Sequence, residues 1–293
     1  MSLHQVEQSG ATVGFEAPIA DSLKERVAIL GCGILGTMMA RGLQEYRGGR
    51  AYRVTATQRT AERAEAISRD TGIFCLSDNR KACREADIVI LAVRPQAMPD
   101  LLKQVRSSIK PGAPCITIAA GLPISFYEEL LLPNVTVVRA LPSPLMALGR
   151  GLTAFSANEL ADERQVEKAR RILALLCEEA MLIPERDLDL FGALFGSSAA
   201  LLYLFVDAAL SAERCKDGPG FSSRRVIAGM LNGASHMLVE SSKSPRELCR
   251  QICTPNGMTA AGVKVWEQND VSRTLTSAME AILSRAAEMG RGE

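Results

Sequence analysis

A short apolar run, Val27-Ala-Ile-Leu30, leads directly into Gly31-x-Gly33-x-x-Gly36, and a helical pattern over residues 34–46 follows. No other stretch limits the possible folds of this chain so strongly. The run reads as a buried parallel strand, because it is apolar without alternation. Each glycine then has a physical task. Gly31 permits the tight turn, Gly33 lets a pyrophosphate approach the backbone, and Gly36 lets the helix pack closely on the strand. The free N–H groups at the helix N-terminus, with the positive end of its dipole, suit phosphate. Gly31, Gly33, Ile34, Leu35 and Gly36 are therefore candidate contacts for a dinucleotide. A glycine-rich turn without a ligand is the alternative.

The pattern beyond this unit alternates. Strands are expected at residues 52–56, 73–76, 87–93, 115–119 and 135–139, with a further one at 152–155. Helices are expected at 61–69, 79–85, 98–109, 124–131 and 162–179. Continuous apolar strands alternating with helices specify an α/β, Rossmann-type doubly wound parallel sheet with right-handed crossovers. After a short apolar run at 181–183 the chain turns all-α, with helices near 187–213, 221–242, 245–252, 259–268 and 271–289. Ser244-Pro245 and Thr254-Pro255 read as helix starts, a hydroxyl N-cap followed by Pro at the first helical position. The 293 residues suit two domains, at about 150 residues each. The expected division is a poorly ordered extension over 1–24, an NAD(P)-binding Rossmann domain over 25–184, and a helical domain over 185–293.

Composition narrows the function classes. Net charge is +1 and no basic stripe is present, which argues against nucleic acid or a membrane surface as partner. The eight cysteines show no CxxC spacing, as expected of free thiols in a reducing cytoplasm. His4 and His236, the only histidines, have no neighbouring ligand pair, so no metal site is expected. Residues 1–24 lack the basic and apolar regions of a signal peptide. Residues 191–212 are apolar and long enough to cross a bilayer. Their flanks, Asp187, Asp189, Glu213 and Arg214, form no positive-inside pattern. The expectation is a helix buried in a core or by a partner subunit.

The second strand bears on the cofactor. It ends Thr55-Ala56-Thr57-Gln58-Arg59-Thr60, with no carboxylate before Glu62 to take a ribose 2′-hydroxyl. Arg59 can pair with a 2′-phosphate and the Thr57 hydroxyl can donate to it. This favours NADP(H), with NAD(H) second. The alternative leaves Arg59 solvated and Thr60 as a helix cap. The available chemistry removes common dehydrogenases. Lactate-type enzymes need a catalytic histidine, and His236 lies mid-helix. β-Hydroxyacid dehydrogenases carry a lysine in the long central helix, and residues 192–210 contain none. A cyclic imine needs less, because its protonated carbon is already electrophilic. Orientation and one hydrogen-bonding group such as a threonine hydroxyl suffice.

Six motifs in order across residues 26–290 resemble the pyrroline-5-carboxylate reductase family. The glycine loop is the first. Ala92-Val93-Arg94-Pro95-Gln96 is similar to the family's Ala-Val-Lys-Pro-Gln turn, and Ala119-Ala120-Gly121 to its Ala-Gly turn near the nicotinamide. Arg139-Ala-Leu-Pro142-Ser143 resembles Arg-x-Met-Pro-Asn, and Gly196-Ser197-Ser198-Ala199-Ala200 resembles Gly-Ser-Gly-Pro-Ala. Thr254-Pro255-Asn256-Gly257-Met258-Thr259 resembles Ser-Pro-Gly-Gly-x-Thr, the substrate-carboxylate loop.

The resemblance implies reduction of 1-pyrroline-5-carboxylate to L-proline in the cytoplasm. It implies Ala92, Arg94, Pro95, Ala120 and Gly121 as further cofactor contacts, and Ser143 beside the substrate. It implies Thr254, Asn256, Gly257 and Met258 at the substrate carboxylate and Thr259 at the imine nitrogen. The C-terminal helices would join two copies into a homodimer, a unit that can assemble further. The departures at Ser143, Ser198-Ala199, Asn256 and Met258 keep two alternatives open. One is a different cyclic imino acid as substrate; the other is an NADP-binding homologue without catalysis, acting in regulation.

Overall fold

A computed structural model describes residues 25–44, 52–142, 151–212, 215, 217–218 and 220–290. The expectations for residues 1–24 and for Ser143 fall outside these. The chain divides into two compact units, Met1–Glu185 and Arg186–Glu293.

The first unit runs β1 (Glu25–Leu30), α1 (Ile34–Gln44), β2 (Tyr52–Thr57), α2 (Ala61–Thr71), β3 (Cys75–Leu76), α3 (Asn79–Glu85), β4 (Ile88–Leu91), α4 (Met98–Val105), β5 (Cys115–Thr117), α5 (Ile124–Leu130), β6 (Val137–Pro142), β7 (Leu152–Ala157), α6 (Glu163–Ala174) and β8 (Glu179–Leu182). Its single sheet has the order β3-β2-β1-β4-β5-β6-β7-β8. The expected doubly wound sheet is present with one correction: β6 and β7 pair antiparallel. Only residues 143–151 separate them, and a parallel crossover needs about a dozen residues or more.

Strand residues alternate between two cores, one on each sheet face. Val27, Ile29, Ile88 and Ile90 pack with Met39 and Leu43 of α1 and Ile172 and Leu173 of α6. Ala28, Leu30, Val89 and Leu91 face Leu101, Leu102 and Val105 of α4 and Tyr127 of α5. Both strand faces are buried, which is why β1 and β4 read as continuous apolar runs. At the start of β4, the Asp87 carboxylate accepts from the Arg26 N–H at 2.9 Å and from Lys110 Nζ at 2.9 Å. Burial raises the pKa of this carboxyl, but the two donors outweigh it, so the net shift is downward. The chain leaves β1 toward β2 on one side, and β4 lies on the other. In folds of this class such a reversal of strand order marks where ligands bind, outside the C-terminal strand ends.

The second unit is helical. α7 (Glu185–Phe191) enters it and passes through a π-helical segment, Gly192–Ser197, into α8 (Ser198–Ser211). α9 (Ser223–Glu240), α10 (Pro245–Ile252), α11 (Met258–Gln268) and α12 (Val271–Gly290) follow. The run Glu185–Ser211 is long and apolar enough to cross a membrane, and 6% of its most apolar window is buried. Tyr203 and Leu204 are more than half exposed, and no residue of α8, α10 or α11 is buried within the chain. An uncovered apolar face of this extent marks a contact surface.

Ser244 caps α10 as expected, in a reciprocal pair with Glu247. The second expected cap is corrected. Thr254-Pro255 does not begin a helix; the Thr254 carbonyl accepts from the Gly257 N–H at 3.0 Å, and α11 starts at Met258. Asn256 explains this, because its φ of 59° is left-handed and a right-handed helix cannot run through it.

Candidate active site

The glycine loop lies at the C-terminal end of β1, between β2 and β4. Gly31 has φ +97°, and a Cβ there would stand 2.6 Å from Val93 Cγ1 and 3.0 Å from the Ala92 carbonyl oxygen. A Cβ on Gly36 would overlap the Gly31 carbonyl oxygen. The protein's own packing therefore requires both residues. Gly33 differs, since a Cβ there would meet nothing within 4 Å. Its backbone faces open space at the first turn of α1, beside Ile34, which is 85% exposed. The chain needs no glycine at 33 for its own folding, but a phosphate approaching the backbone does. The loop thus fits a dinucleotide pyrophosphate.

β2 braces the loop from below. The Cys32 N–H donates to the Thr57 carbonyl at 2.9 Å, and the Gly31 N–H donates to Thr57 Oγ1 at 3.2 Å. Gln58 Nε2 donates to the Cys32 carbonyl at 2.6 Å. The Cys32 thiol contacts Thr37 Oγ1 at 3.2 Å, and burial pushes its pKa up. Thr57 is 1% exposed, so its hydroxyl is turned into the loop. Its place is that of a brace, whereas the sequence suggested a donor to a 2′-phosphate. Arg59 is exposed beyond it, and Thr60 caps α2 by accepting from the Arg63 N–H at 3.4 Å. Gln58 received no role from the sequence. The available signal was a polar side chain directly after the buried end of β2.

Two further turns leave the C-terminal ends of the neighbouring strands β4 and β5. The Ala92 N–H donates to the Leu30 carbonyl at 2.8 Å as the chain leaves β4. Val93 then lies against Gly31, and exposed Arg94 precedes a short 3₁₀ turn that opens with Pro95. After β5, Ala120 is exposed and Gly121 turns the chain at φ 80°. This turn is anchored from within. Thr117 Oγ1 donates to Tyr127 Oη at 2.6 Å and accepts from the Ala119 N–H at 3.3 Å. Burial pushes the Tyr127 hydroxyl up to about 12. Farther along, the buried Arg139 guanidinium pairs with Glu185 at 3.3 Å, and Glu185 also accepts from the Ile124 N–H at 2.7 Å.

The remaining expected residues belong to the second unit. Thr254, Asn256, Met258 and Thr259 are exposed there, with Met258 at 96%. A Cβ on Gly257 would overlap Thr254 Oγ1, so the turn closes too tightly for a side chain at that position. The first N–H groups of α11 have no acceptor within the helix and point out of its N-terminus. Among the described residues no cluster of His, Cys, Asp or Glu could hold a metal.

Comparison with known proteins accounts for both units. A family model described as pyrroline-5-carboxylate reductase dimerisation matches residues 185–289. A second, described as NADP oxidoreductase, coenzyme F420-dependent, matches residues 26–121. The pyrroline-5-carboxylate reductase of Pseudomonas aeruginosa is 30% identical over 265 residues, covering 90% of this chain and 96% of the relative. The chain belongs to the pyrroline-5-carboxylate reductase family. The enzyme of that name from Corynebacterium melassecola is 26% identical over 90% of this chain and 98% of its own length. Two solved structures share the fold. That of 1-pyrroline-5-carboxylate reductase from Streptococcus pyogenes has a TM-score of 0.81 at 24% identity, covering 90% of this chain and 98% of the other. That of Plasmodium falciparum pyrroline carboxylate reductase with NADP bound has a TM-score of 0.82 at 22% identity, with coverages of 91% and 98%. In this pyrroline-5-carboxylate reductase family member, an asparagine occupies the left-handed position at 256. Asparagine is among the few residues with a side chain that adopt that conformation readily.

Proposed function

We propose that the chain reduces a cyclic imino acid with NADPH, most directly 1-pyrroline-5-carboxylate to L-proline. One observation carries this reading in a member of this family: the open backbone at Gly33, framed by the turns after β4 and β5. Bound NADPH supplies the hydride. Gly31 makes the turn of the cofactor loop, and Gly33, Ile34, Leu35 and Gly36 offer backbone N–H groups to the pyrophosphate, with Thr57 and Gln58 holding the loop in shape. Arg59 pairs with the 2′-phosphate. The turns at Ala92, Arg94 and Pro95 and at Ala120 and Gly121 position the nicotinamide end.

The substrate side rests on the second unit. N–H groups at the N-terminus of α11 take the carboxylate, within the turn of Thr254, Asn256, Gly257 and Met258. The Thr259 hydroxyl accepts from the iminium N–H and fixes which face of the C=N bond receives the hydride. Electrons of the C=N bond then return to nitrogen, leaving the neutral secondary amine. Ser143 is a further candidate contact for the substrate. The exposed apolar run Glu185–Ser211 supports a homodimer formed through the C-terminal helices. Eight free thiols, five of them buried, support a reducing cytoplasm.

The test is direct. Purified protein is mixed with NADPH or NADH and a panel of pyrroline and piperideine carboxylates, and absorbance of the reduced cofactor is followed. Oxidation of NADPH by 1-pyrroline-5-carboxylate, with proline as product, is expected. If no member of the panel oxidises either cofactor while NADPH still binds, the reading fails. Thr259→Val should lower turnover far more than NADPH affinity, and equal losses would remove Thr259 from its role.

A further inference from the structure

Cys249 lies in the last turn of α10 and Cys253 caps its C-terminus four residues on. Cys253 is immediately followed by Thr254, the first residue of the assigned substrate loop. From this placement we propose that Cys249 and Cys253 form a reversible disulfide that reshapes the loop 254–259 and switches off turnover under oxidation.

Several independent observations support the pair. Cys249 and Cys253 are four residues apart, the spacing that sets side chains on one face of a helix, and the Cys249 sulfur and Glu267 of α11 both lie near enough to act on Cys253. Cys249 is exposed and Cys253 half-buried, whereas Cys32, Cys75, Cys83, Cys115 and Cys177 are buried. Within one copy of the chain, these two and Cys215 are therefore the thiols open to small oxidants. Cys253 holds its proton more tightly than an ordinary thiol, through partial desolvation, then the Cys249 sulfur, then Glu267. Cys249, the more exposed of the two, is the sulfur a peroxide meets first, and Cys253 is the one that resolves it.

The geometry also shows what oxidation would move. Residues four apart on a helix have Cβ atoms about 5–6 Å apart, and a disulfide brings them to about 3.8 Å. The turn must therefore distort, and its C-terminal end yields more easily. Cys253 has already left the helix, with φ −85° and ψ 96°. Its N–H is shared between the Cys249 and Arg250 carbonyls, each at 3.2 Å. Drawing Cys253 back toward Cys249 displaces Thr254, and with it the tight turn in which Gly257 already abuts the Thr254 hydroxyl.

The step balances with a peroxide as oxidant. The Cys249 thiolate attacks one peroxide oxygen, the O–O bond breaks, and a sulfenic acid forms as hydroxide leaves and is protonated to water. Cys253 sulfur then attacks Cys249 sulfur, the S–O bond breaks, and a second water leaves. Two thiols have lost two electrons and two protons, and one peroxide has become two waters. A small-molecule dithiol reverses the bond by exchange.

The test uses the full chain on a Cys215→Ser background, which removes the other exposed thiol. Hydrogen peroxide is added, and peptides are mapped without reduction. A 249–253 bridge is expected, and its absence overturns the proposal. Hydrogen exchange over 254–262 should rise on oxidation and return with dithiothreitol; a bridge that leaves this exchange unchanged also overturns it. Turnover of pyrroline-5-carboxylate should fall about tenfold or more, since a misplacement of about 1 Å is enough for that. Cys249→Ser and Cys253→Ser should keep basal turnover and resist the loss, and a variant that inactivates at the wild-type rate refutes the switch. The effect on turnover rests on the substrate loop assigned above. A reduced protein without imine reductase activity would count against that assignment, while mapping and exchange still decide the bridge.

Discussion

Gly31 and Gly33 stand two residues apart in one loop and should fail in opposite ways. Alanine at 31 meets both a left-handed φ of +97° and the Val93 side chain at 2.6 Å. Backbone strain of that kind costs about 1–3 kcal/mol, and forcing the core apart adds about 1–3 kcal/mol. At about 2–4 °C per kcal/mol for a unit of this size, Gly31→Ala should lower Tm by about 4–24 °C. Alanine at 33 meets nothing within 4 Å and needs no left-handed backbone. Restricting the unfolded chain should leave stability unchanged or raise it by about 0.5 kcal/mol. The new methyl group instead occupies the space that a phosphate would enter. Losing one charge-assisted hydrogen bond costs about 1.5–3 kcal/mol, so the Kd for NADPH should weaken about 10- to 100-fold. Thermal denaturation without cofactor and calorimetric titration with NADPH separate the two effects. Gly33→Ala binding NADPH as tightly as the wild type would refute the account of the loop. A Tm loss in Gly33→Ala equal to that in Gly31→Ala would refute it as well.

Three further expectations concern other parts of the first unit. Arg59→Ala should raise the KM for NADPH about tenfold through loss of the ion pair with the 2′-phosphate and leave that for NADH unchanged; steady-state kinetics with both cofactors decides. Tyr127→Phe strips the buried Thr117 hydroxyl of its acceptor, which should cost about 1–2 kcal/mol in urea denaturation at neutral pH. The Asp87 carboxyl has its folded pKa depressed by the Arg26 N–H and Lys110. Its stabilisation is therefore complete above the unfolded value of about 3.9 and is lost as pH falls through the lower folded value. Asp87→Asn should melt below the wild type at pH 7, with the gap closing toward about pH 3. A gap constant across that range would deny the carboxylate its role.

Much of this architecture was legible because strands buried on both faces carry an unmistakable apolar run, as in Val27–Leu30 and Ile88–Leu91. What failed to show in sequence was decided by tertiary partners. Residues 162–179 read as one helix, yet α6 ends at Ala174 and Glu179–Leu182 becomes β8. Pairing with β7 overrides the local helical preference there, and the Cys177 thiol bridges the change by donating to the Leu173 and Glu179 carbonyls. At the candidate site the glycine spacing announced the loop, since each glycine serves a local need. Gln58 could not be read the same way, because its partner, the Cys32 carbonyl, lies 26 residues away and only the β1–β2 pairing brings them together. The turn at 254–257 was misread as a cap because Thr-Pro fits both. The left-handed Asn256 that separates the two outcomes is a conformational fact rather than a compositional one.

The largely uncovered run Glu185–Ser211 has a thermodynamic consequence for the whole molecule. A unit whose α8, α10 and α11 bury no residue within their own chain draws its hydrophobic stabilisation from an encounter, and mass action governs encounters. Its melting temperature should climb with protein concentration, whereas that of the sheet-bearing unit, with its own two cores, should not. Dilution alone would then unfold one half of the chain and leave the other standing.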